Sequence, residues 1–187
     1  MKRLFIATPT IVLSSPLQDF VDRLKSSLRN EDIVWVENKV RHLTLRFIGA
    51  TPDQKVPPIM QSMDESIGKF TKFSMKIDKT SVFGSRYEPK VIWLGFGDFS
   101  DFKRLYDDLE PRLEGAGFEP NYGNFVPHIT LGRIKRLSSK ERFWRVFREA
   151  EAIAISQEIE VSRINLYQSF LNKDGPEYKV LFSKELK

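Results

Sequence analysis

The chain has 187 residues and a net charge of +5, with 41% hydrophobic residues. This length matches about one domain, and 15 Phe, 5 Tyr and 3 Trp are too many aromatic residues for a disordered chain. The absence of Cys excludes a disulfide framework, thiolate metal ligands and a cysteine nucleophile. No apolar run approaches the ~20 residues of a membrane span, and the N-terminal one is too short for a signal peptide. We therefore expect a cytoplasmic protein, whose mild positive charge permits a polyanionic partner such as RNA.

Strands and helices are mixed throughout the chain. In the first half, the pattern predicts strands over 3–8, 33–36 and 40–48, an amphipathic helix from Ser14 to Leu28, and a helix over 56–67. In the second half, it predicts strands over 73–77, 91–96 and 126–134, with helices over 102–113 and after Ser139. Terminal strands over 159–170 and 178–186 are joined by a turn over 172–176. This mixture indicates an α+β or α/β fold.

One pattern, V-x-H-x-T-L-x-x-I, occurs at 40–48 and again at 126–134, and it contains both His of the chain. Residues i and i+2 of a strand point to the same face. His42 therefore shares a face with Thr44, and His128 shares one with Thr130. If a pseudo-two-fold axis relates the two copies, each copy presents an imidazole and a hydroxyl to the same cleft.

Two imidazoles and two hydroxyls suit acid–base cleavage of a phosphodiester. Because His titrates near pH 6.5, one imidazole can remove a proton while the other donates one. The Thr hydroxyls can donate to the nonbridging phosphate oxygens. The sequence does not distinguish the acid from the base, because the two copies look alike.

Other kinds of site fit the sequence less well. Zinc needs three or four protein ligands, and a Thr nucleophile activated by His needs a third, orienting group. No phosphate-binding glycine loop or dinucleotide motif is present. We therefore expect neither a metal nor a cofactor. A purely structural role for both His is disfavoured because they are repeated in the same context.

The two H-x-T-L segments resemble the paired H-x-T-x motifs of the two-histidine (2H) phosphoesterase superfamily. Over nearly its full length, the chain resembles the RNA 2′,3′-cyclic phosphodiesterases, also called 2′-5′ RNA ligases. The segments that carry this likeness are 3–7, Trp35, 89–95, 117–118, 125–133, 166–169 and 175–178.

The resemblance implies one domain over 1–187 with two intimately connected lobes. These would be pseudo-symmetric, mostly antiparallel sheets with outer helices around a central cleft. It also implies metal-free and ATP-free hydrolysis of RNA 2′,3′-cyclic phosphate ends to 2′-phosphates, with His42 as proton donor and His128 as acceptor. With an RNA 5′-hydroxyl as nucleophile, the same site would form a 2′-5′ linkage. We expect a monomer with no membrane partner, and tRNA fragments are candidate substrates.

Several further residues are candidates for binding the substrate. By simple alternation, Arg46 lies on the face of His42. Arg133 matches the family's arginine after the second motif, although alternation places it opposite His128 unless Gly132 permits a bulge or the strand twists out. For either Arg, a solvated surface charge is the alternative. Four aromatic residues could stack a base, although core packing is the alternative for each: Phe125, Tyr122, Phe83 and Tyr87.

Two other functions stay open at this point. The same chemistry could act on a different substrate, such as a small cyclic phosphate derived from ADP-ribose. Alternatively, the chain could be a non-catalytic RNA-binding module, whose salt-dependent binding would survive removal of both imidazoles. The intact motif pair argues against that module, because binding alone does not need two matched proton-transfer groups.

Overall fold

The computed structural model describes residues 1–172 and 175–187, and within them it contains nine strands and four α-helices. The strands are β1 (Lys2–Ala7), β2 (Asp32–Trp35), β3 (Thr44–Thr51), β4 (Phe73–Gly84), β5 (Pro89–Phe96), β6 (Ile129–Arg136), β7 (Gln157–Val161), β8 (Arg163–Asn172) and β9 (Gly175–Glu185). The helices are α1 (Ser15–Ser27), α2 (Val56–Ile67), α3 (Ser100–Gly115) and α4 (Lys140–Glu151). The turn predicted over 172–176 includes positions 173 and 174, which lie outside the described residues.

The four helices form where the apolar spacing predicts them. Helix α1 buries Leu17, Phe20, Val21 and Leu24, which repeat at helical intervals. Helix α2 begins with Pro in its first turn, where the missing N–H has no intrahelical partner to lose. Helix α4 is capped by Ser139, whose hydroxyl accepts a hydrogen bond from the backbone N–H of Arg142.

Several predicted strand boundaries are wrong, and the strand predicted over 73–77 extends to Gly84. The strands of the two motifs begin at Thr44 and Ile129 rather than at 40 and 126, so both His precede a strand. The predicted strand over 159–170 is two strands, because the chain leaves one sheet at Ser162 and enters the other. The buried apolar positions change there from odd numbers, Ile159 and Val161, to even numbers, Ile164 and Leu166, and this change of phase accompanies the change of sheet.

The strands form two antiparallel sheets. The first sheet has the order β3-β1-β8-β9 and the second has the order β2-β6-β5-β4-β7. In each sheet, the strand that follows a motif His pairs with an earlier strand, and one α-helix lies between the two strands in the chain. These pairs are β3 with β1 and β6 with β5. This correspondence confirms the predicted fold of two related, mostly antiparallel sheets with helices.

One large hydrophobic core connects the two sheets and the helices. It includes Leu4 and Ile6 of β1 and Ile92 and Leu94 of β5, all fully buried. The other side of β1 carries Phe5 and Ala7, which pack with Tyr167 in a separate small cluster. We call this side of the first sheet its histidine face, because the ring of His42 packs on Phe5 there.

In the described ranges 1–172 and 175–187, no helix is both long enough and apolar enough to cross a membrane.

Candidate active site

A single backbone bridge joins the two motifs. Leu43 and Ile129, the residues that follow the two His, form an isolated antiparallel bridge, and both are fully buried. Equivalent positions of the two repeats therefore meet, as expected if a pseudo-two-fold axis passes between them. Because neighbouring residues of an extended chain point to opposite sides, His42 and His128 are both directed away from the core that holds Leu43 and Ile129.

The two imidazoles are held in the same way. His42 Nδ1 lies 2.8 Å from the carbonyl oxygen of Val40, and His128 Nδ1 lies 2.8 Å from that of Val126. A carbonyl oxygen can only accept, so each Nδ1–H donates and each neutral ring keeps Nε2 as its basic nitrogen.

Burial lowers the pKa of both His42 and His128 below its usual value of 6.5, and it is the largest influence on each. The hydrogen bonds to Val40 and Val126 act in the opposite direction. The positive charge of Arg133 lowers both pKa values further, and a charge on His128 also lowers the pKa of His42. A second proton on the pair is therefore disfavoured, which leaves one imidazole able to accept a proton while the other donates.

The two Thr lie on the same side as the imidazoles. Thr44 is paired with Ala7 of the histidine face, and Thr130 is paired with Trp93. Directly opposed residues of antiparallel strands point to the same face, and the Trp93 ring lies 6.0 Å from that of His128. Both hydroxyls are half-buried and thus remain accessible to a ligand.

Different aromatic residues surround the two imidazoles. The ring of His42 lies 4.9 Å from Phe5 and 5.3 Å from Tyr178, whose ring it meets edge-on. The ring of His128 lies 4.7 Å from Phe83, again edge-on. Sequence reasoning named Phe83 but missed Phe5, Tyr178 and Trp93, because their contacts depend on the strand register and not on a local pattern.

Arg133 lies on the same face as Thr130, although alternation predicts the opposite face. Thr130 is opposite Trp93 and Arg133 is opposite Val91, two positions that share a face of β5. The extra residue is Leu131, so β6 bulges between the Thr and the Arg. The bulge alternative is therefore the one that the structure supports. The effect of Arg133 on the pKa of both imidazoles is consistent with this position.

Arg46 lies on the opposite side from His42, so the face predicted for it by alternation is wrong. Thr44 is opposite Ala7, but Arg46 is opposite Ile6, and Ile6 faces the core. Strand β3 therefore bulges at Leu45, as β6 does at Leu131. The bulge leaves Thr44 on the histidine face and turns Arg46 away from it.

Arg46 instead makes a buried ion pair with helix α3. Its Nε lies 2.7 Å from Glu110 Oε1, and the two side chains are only 11% and 10% exposed. Its Nη2 donates to the carbonyl oxygen of Glu119 at 2.5 Å, while the backbone N–H of Asn121 donates to Glu110 at 3.4 Å. Arg46 therefore anchors the loop that leads to the second motif, and the structure does not bring it to the imidazoles.

Three candidate stacking residues lie elsewhere. Phe125 packs in the core, with its ring 4.1 Å from Tyr106 and 5.9 Å from Phe102 of helix α3. Tyr122 and Tyr87 are exposed residues of two loops, and neither has an aromatic contact with an imidazole among the described residues. Of the four candidates, only Phe83 contacts a His ring.

Among the residues that the structure describes, no group of three or more His, Asp or Glu side chains is placed to hold a metal ion.

Comparison with known proteins identifies the class of this chain. The family of LigT-like phosphoesterases matches residues 12–93 and 100–178, which is most of the sequence. The chain belongs to this family of the 2H superfamily and is an enzyme, and the two H-x-T-L motifs lie in the two matched segments.

Two curated relatives are similar over most of their length. An RNA 2′,3′-cyclic phosphodiesterase of Thermotoga maritima is 34% identical over 149 residues, which are 79% of this chain and 76% of the relative. One of Aeropyrum pernix with the same name is 32% identical over 165 residues, 86% of this chain and 91% of the relative.

Solved structures support the fold. The crystal structure of TT0787 of Thermus thermophilus has a TM-score of 0.77 at 22% identity, and the match covers 98% of this chain and 97% of that one. Escherichia coli LigT complexed with 3′-AMP has a TM-score of 0.72 at 19% identity, with 100% and 98% coverage.

Proposed function

We propose that this enzyme hydrolyses the 2′,3′-cyclic phosphate at the 3′ end of RNA to a 2′-phosphate, using His42 and His128 as an acid–base pair. The observation that carries the proposal is the matched fixation of the two rings. Each Nδ1 is 2.8 Å from a backbone carbonyl oxygen, and each Nε2 is left for proton transfer. The names of the relatives from Thermotoga maritima and Aeropyrum pernix support this choice of substrate.

The reaction needs one proton removed and one delivered. His128 Nε2 takes a proton from water as the water oxygen attacks phosphorus, and the bond between phosphorus and O3′ breaks. His42 Nε2 gives its proton to the leaving O3′, so the products are a 2′-phosphate and a 3′-hydroxyl. The resemblance to the family supports this assignment of donor and acceptor. General acid–base catalysis of this kind typically contributes ~10²–10⁴-fold.

The anionic substrate supplies the protonation state that this mechanism needs. Burial lowers the pKa of His42, so the imidazole is predominantly neutral in the free enzyme near neutral pH. A phosphate anion bound beside it favours the charged imidazolium and raises the pKa again. Substrate binding and protonation of His42 therefore reinforce each other.

Thr44, Thr130 and Arg133 complete the proposed site. The two hydroxyls donate to the two nonbridging oxygens, and the guanidinium of Arg133 stabilises the negative charge that grows on phosphorus-bound oxygen in the transition state. Fixed donors of this kind are pre-organised because the bulge at Leu131 sets the position of Arg133 in the folded protein. No step requires a metal ion or a nucleotide cofactor.

The same site allows a ligation reaction. When an RNA 5′-hydroxyl takes the place of water, His128 removes its proton and the oxygen attacks the cyclic phosphate. His42 again protonates O3′, and the product contains a 2′-5′ phosphodiester. We propose that the enzyme acts in this way as a monomer on RNA ends, with tRNA fragments among its substrates.

A direct test uses a short RNA that ends in a 2′,3′-cyclic phosphate, incubated with the protein in EDTA and without nucleotide. We expect a 2′-phosphate, identified by chromatography against 2′- and 3′-phosphate standards, and no product from H42A or H128A. An exposed-residue variant, Tyr87→Ala, serves as a control and should react like the wild type. Full activity of H42A would overturn the mechanism. Turnover only of a small cyclic phosphate offered in parallel would change the substrate but keep the chemistry.

A further inference from the structure

Arg3 lies on the histidine face of the first sheet, beyond the catalytic cluster. It alternates with Leu4, which is in the core, and therefore shares its face with Phe5. Arg3 is opposite Ser169, and Ser169 is opposite Tyr178. Arg3 and Tyr178 consequently belong to one cross-strand row, which adjoins the row that contains Phe5.

The guanidinium of Arg3 lies over the edge strand β3, at the level of Phe5. Its central carbon lies 5.0 Å from the centroid of the Phe47 ring, and Phe47 is the cross-strand partner of Phe5. The Phe5 ring in turn lies 4.9 Å from that of His42. A cation–π contact holds the guanidinium at this level of the sheet without using its N–H donors.

Arg3 has no acidic partner among the residues that the structure describes, and the side chain is exposed. Its neighbour Lys2 differs, because Lys2 forms an ion pair with Asp53 at 2.5 Å. The charges of Arg133 and Arg3 both lower the pKa of Tyr178, against burial, which raises it and is the larger influence. The charges of two guanidinium groups therefore act on Tyr178, and only that of Arg133 has a place in the proposed chemistry.

We infer that Arg3 binds the phosphodiester immediately upstream of the terminal nucleotide, and thereby favours an RNA end over a mononucleotide. The inference rests on the proposed function, which places the cyclic phosphate between the imidazoles. The next anion of an RNA strand is then one nucleotide away along the open face. Arg3 is two strand positions, roughly 7 Å, beyond Phe5, and its unpaired donors suit a phosphate oxygen.

The test compares three substrates that differ only in length and charge. They are adenosine 2′,3′-cyclic phosphate, the dinucleotide ApA ending in a 2′,3′-cyclic phosphate, and the same dinucleotide with an uncharged methylphosphonate linkage. For the wild type, we expect a KM about 5-fold lower with the charged linkage than with the neutral one, as for an exposed ion pair. For Arg3→Gln, this ratio should fall to about 1, while turnover of the mononucleotide stays unchanged.

Two further variants make the result specific. Lys2→Gln removes a charge from the adjacent position, on the side of Asp53, and should keep the wild-type ratio. Arg3→Lys keeps the charge and should retain part of the difference in KM between the charged and the neutral dinucleotide. A ratio that persists in Arg3→Gln, or a KM that rises equally for both dinucleotides, would overturn the subsite. Failure of the wild type on all three substrates would instead contradict the proposed function.

Discussion

The two H-x-T-L motifs hold their histidines in the same geometry and differ in the residues that surround them. Each holds its imidazole by a bond of 2.8 Å from Nδ1 to the carbonyl oxygen two residues back. Each motif has a bulge at its Leu, the residue directly after the Thr. The fifth residue after the His, however, is Phe47 in the first motif and Arg133 in the second. In the proposed mechanism, duplication therefore supplies the two proton-transfer groups, His42 and His128, while the substrate-binding charge of Arg133 comes from the second copy only.

The residue opposite each Thr also differs. It is the small Ala7 in the first motif, which leaves room for the His42 ring to pack on Phe5. In the second motif it is Trp93, and the His128 ring packs against Phe83 instead. A charge on His128 lowers the pKa of His42 in addition to the effect of burial. The two imidazoles are thus alike in their hydrogen bonds and unlike in their aromatic environments.

The largest effect should come from the imidazoles themselves. Replacement of either His42 or His128 by Ala removes one proton transfer, and we expect kcat to fall by about 10²–10⁴-fold in each variant. The double variant should be scarcely slower than either single one, because one remaining imidazole cannot perform a concerted transfer alone. Steady-state assays on a nucleoside 2′,3′-cyclic phosphate measure this. A fall confined to one of the two single variants would break the equivalence of the motifs.

Exchange of the residues that distinguish the motifs should have the next largest effect. We expect Arg133→Phe, which copies the first motif, to lower kcat/KM by about 10²-fold, because it removes a fixed donor for the transition-state charge. Phe47→Ala should have less effect on kcat, and Arg136→Met serves as a control for loss of charge near the end of β6. Comparable losses in Arg133→Phe and Arg136→Met would mean that Arg133 acts only through net charge.

A stability measurement tests the position of Arg46. Arg46→Met leaves Glu110 buried without its partner, and we expect the free energy of unfolding to fall by about 3 kcal/mol in urea titrations. The double variant Arg46→Met/Glu110→Leu should recover most of this loss, because no buried charge remains. If Arg46→Met were as stable as the wild type and lost only substrate affinity, Arg46 would be a binding residue after all.

The smallest effect concerns pH and stability. Burial lowers the pKa of both His in the folded state, so the unfolded chain binds more protons below about pH 6.5. The resulting stability is fully present above that pH and is lost as the pH falls toward the folded-state pKa values. We expect the difference in unfolding free energy between pH 8 and pH 5.5 to be smaller in a His42→Asn/His128→Asn variant than in the wild type. An equal difference in both proteins would contradict the lowered pKa values.

The sequence was sufficient for the repeated motif, the helices and the class of fold, since these follow from local patterns. It was insufficient for the two arginines. Counting by two along a strand assigns Arg46 to the histidine face and Arg133 to the opposite one, and a bulge after each Thr reverses both predictions. A bulge depends on the partner strand, so it has no reliable local signal.

The residue type at the position of Arg46 also depends on neighbouring strands that are distant in the sequence. Gly132 occupies the place in the second motif that Arg46 has in the first. A Cβ on Gly132 would lie 2.9 Å from Ile33 and 3.0 Å from Trp35, because β2 covers that side of β6. Strand β3 is an edge strand of its sheet, so the same position there has room for the long side chain of Arg46, which reaches Glu110 of helix α3.

A single substrate separates the proposed acid, His42, from the proposed base, His128. A nucleoside 2′,3′-cyclic phosphate with sulfur in place of O3′ has a leaving group that needs no proton, and its product thiol can be followed with a thiol reagent. We expect this substrate to restore turnover in His42→Ala to near that of the wild type and to leave His128→Ala inactive. Rescue of His128→Ala instead would reverse the two roles, and rescue of neither variant would contradict an acid–base division between the two motifs.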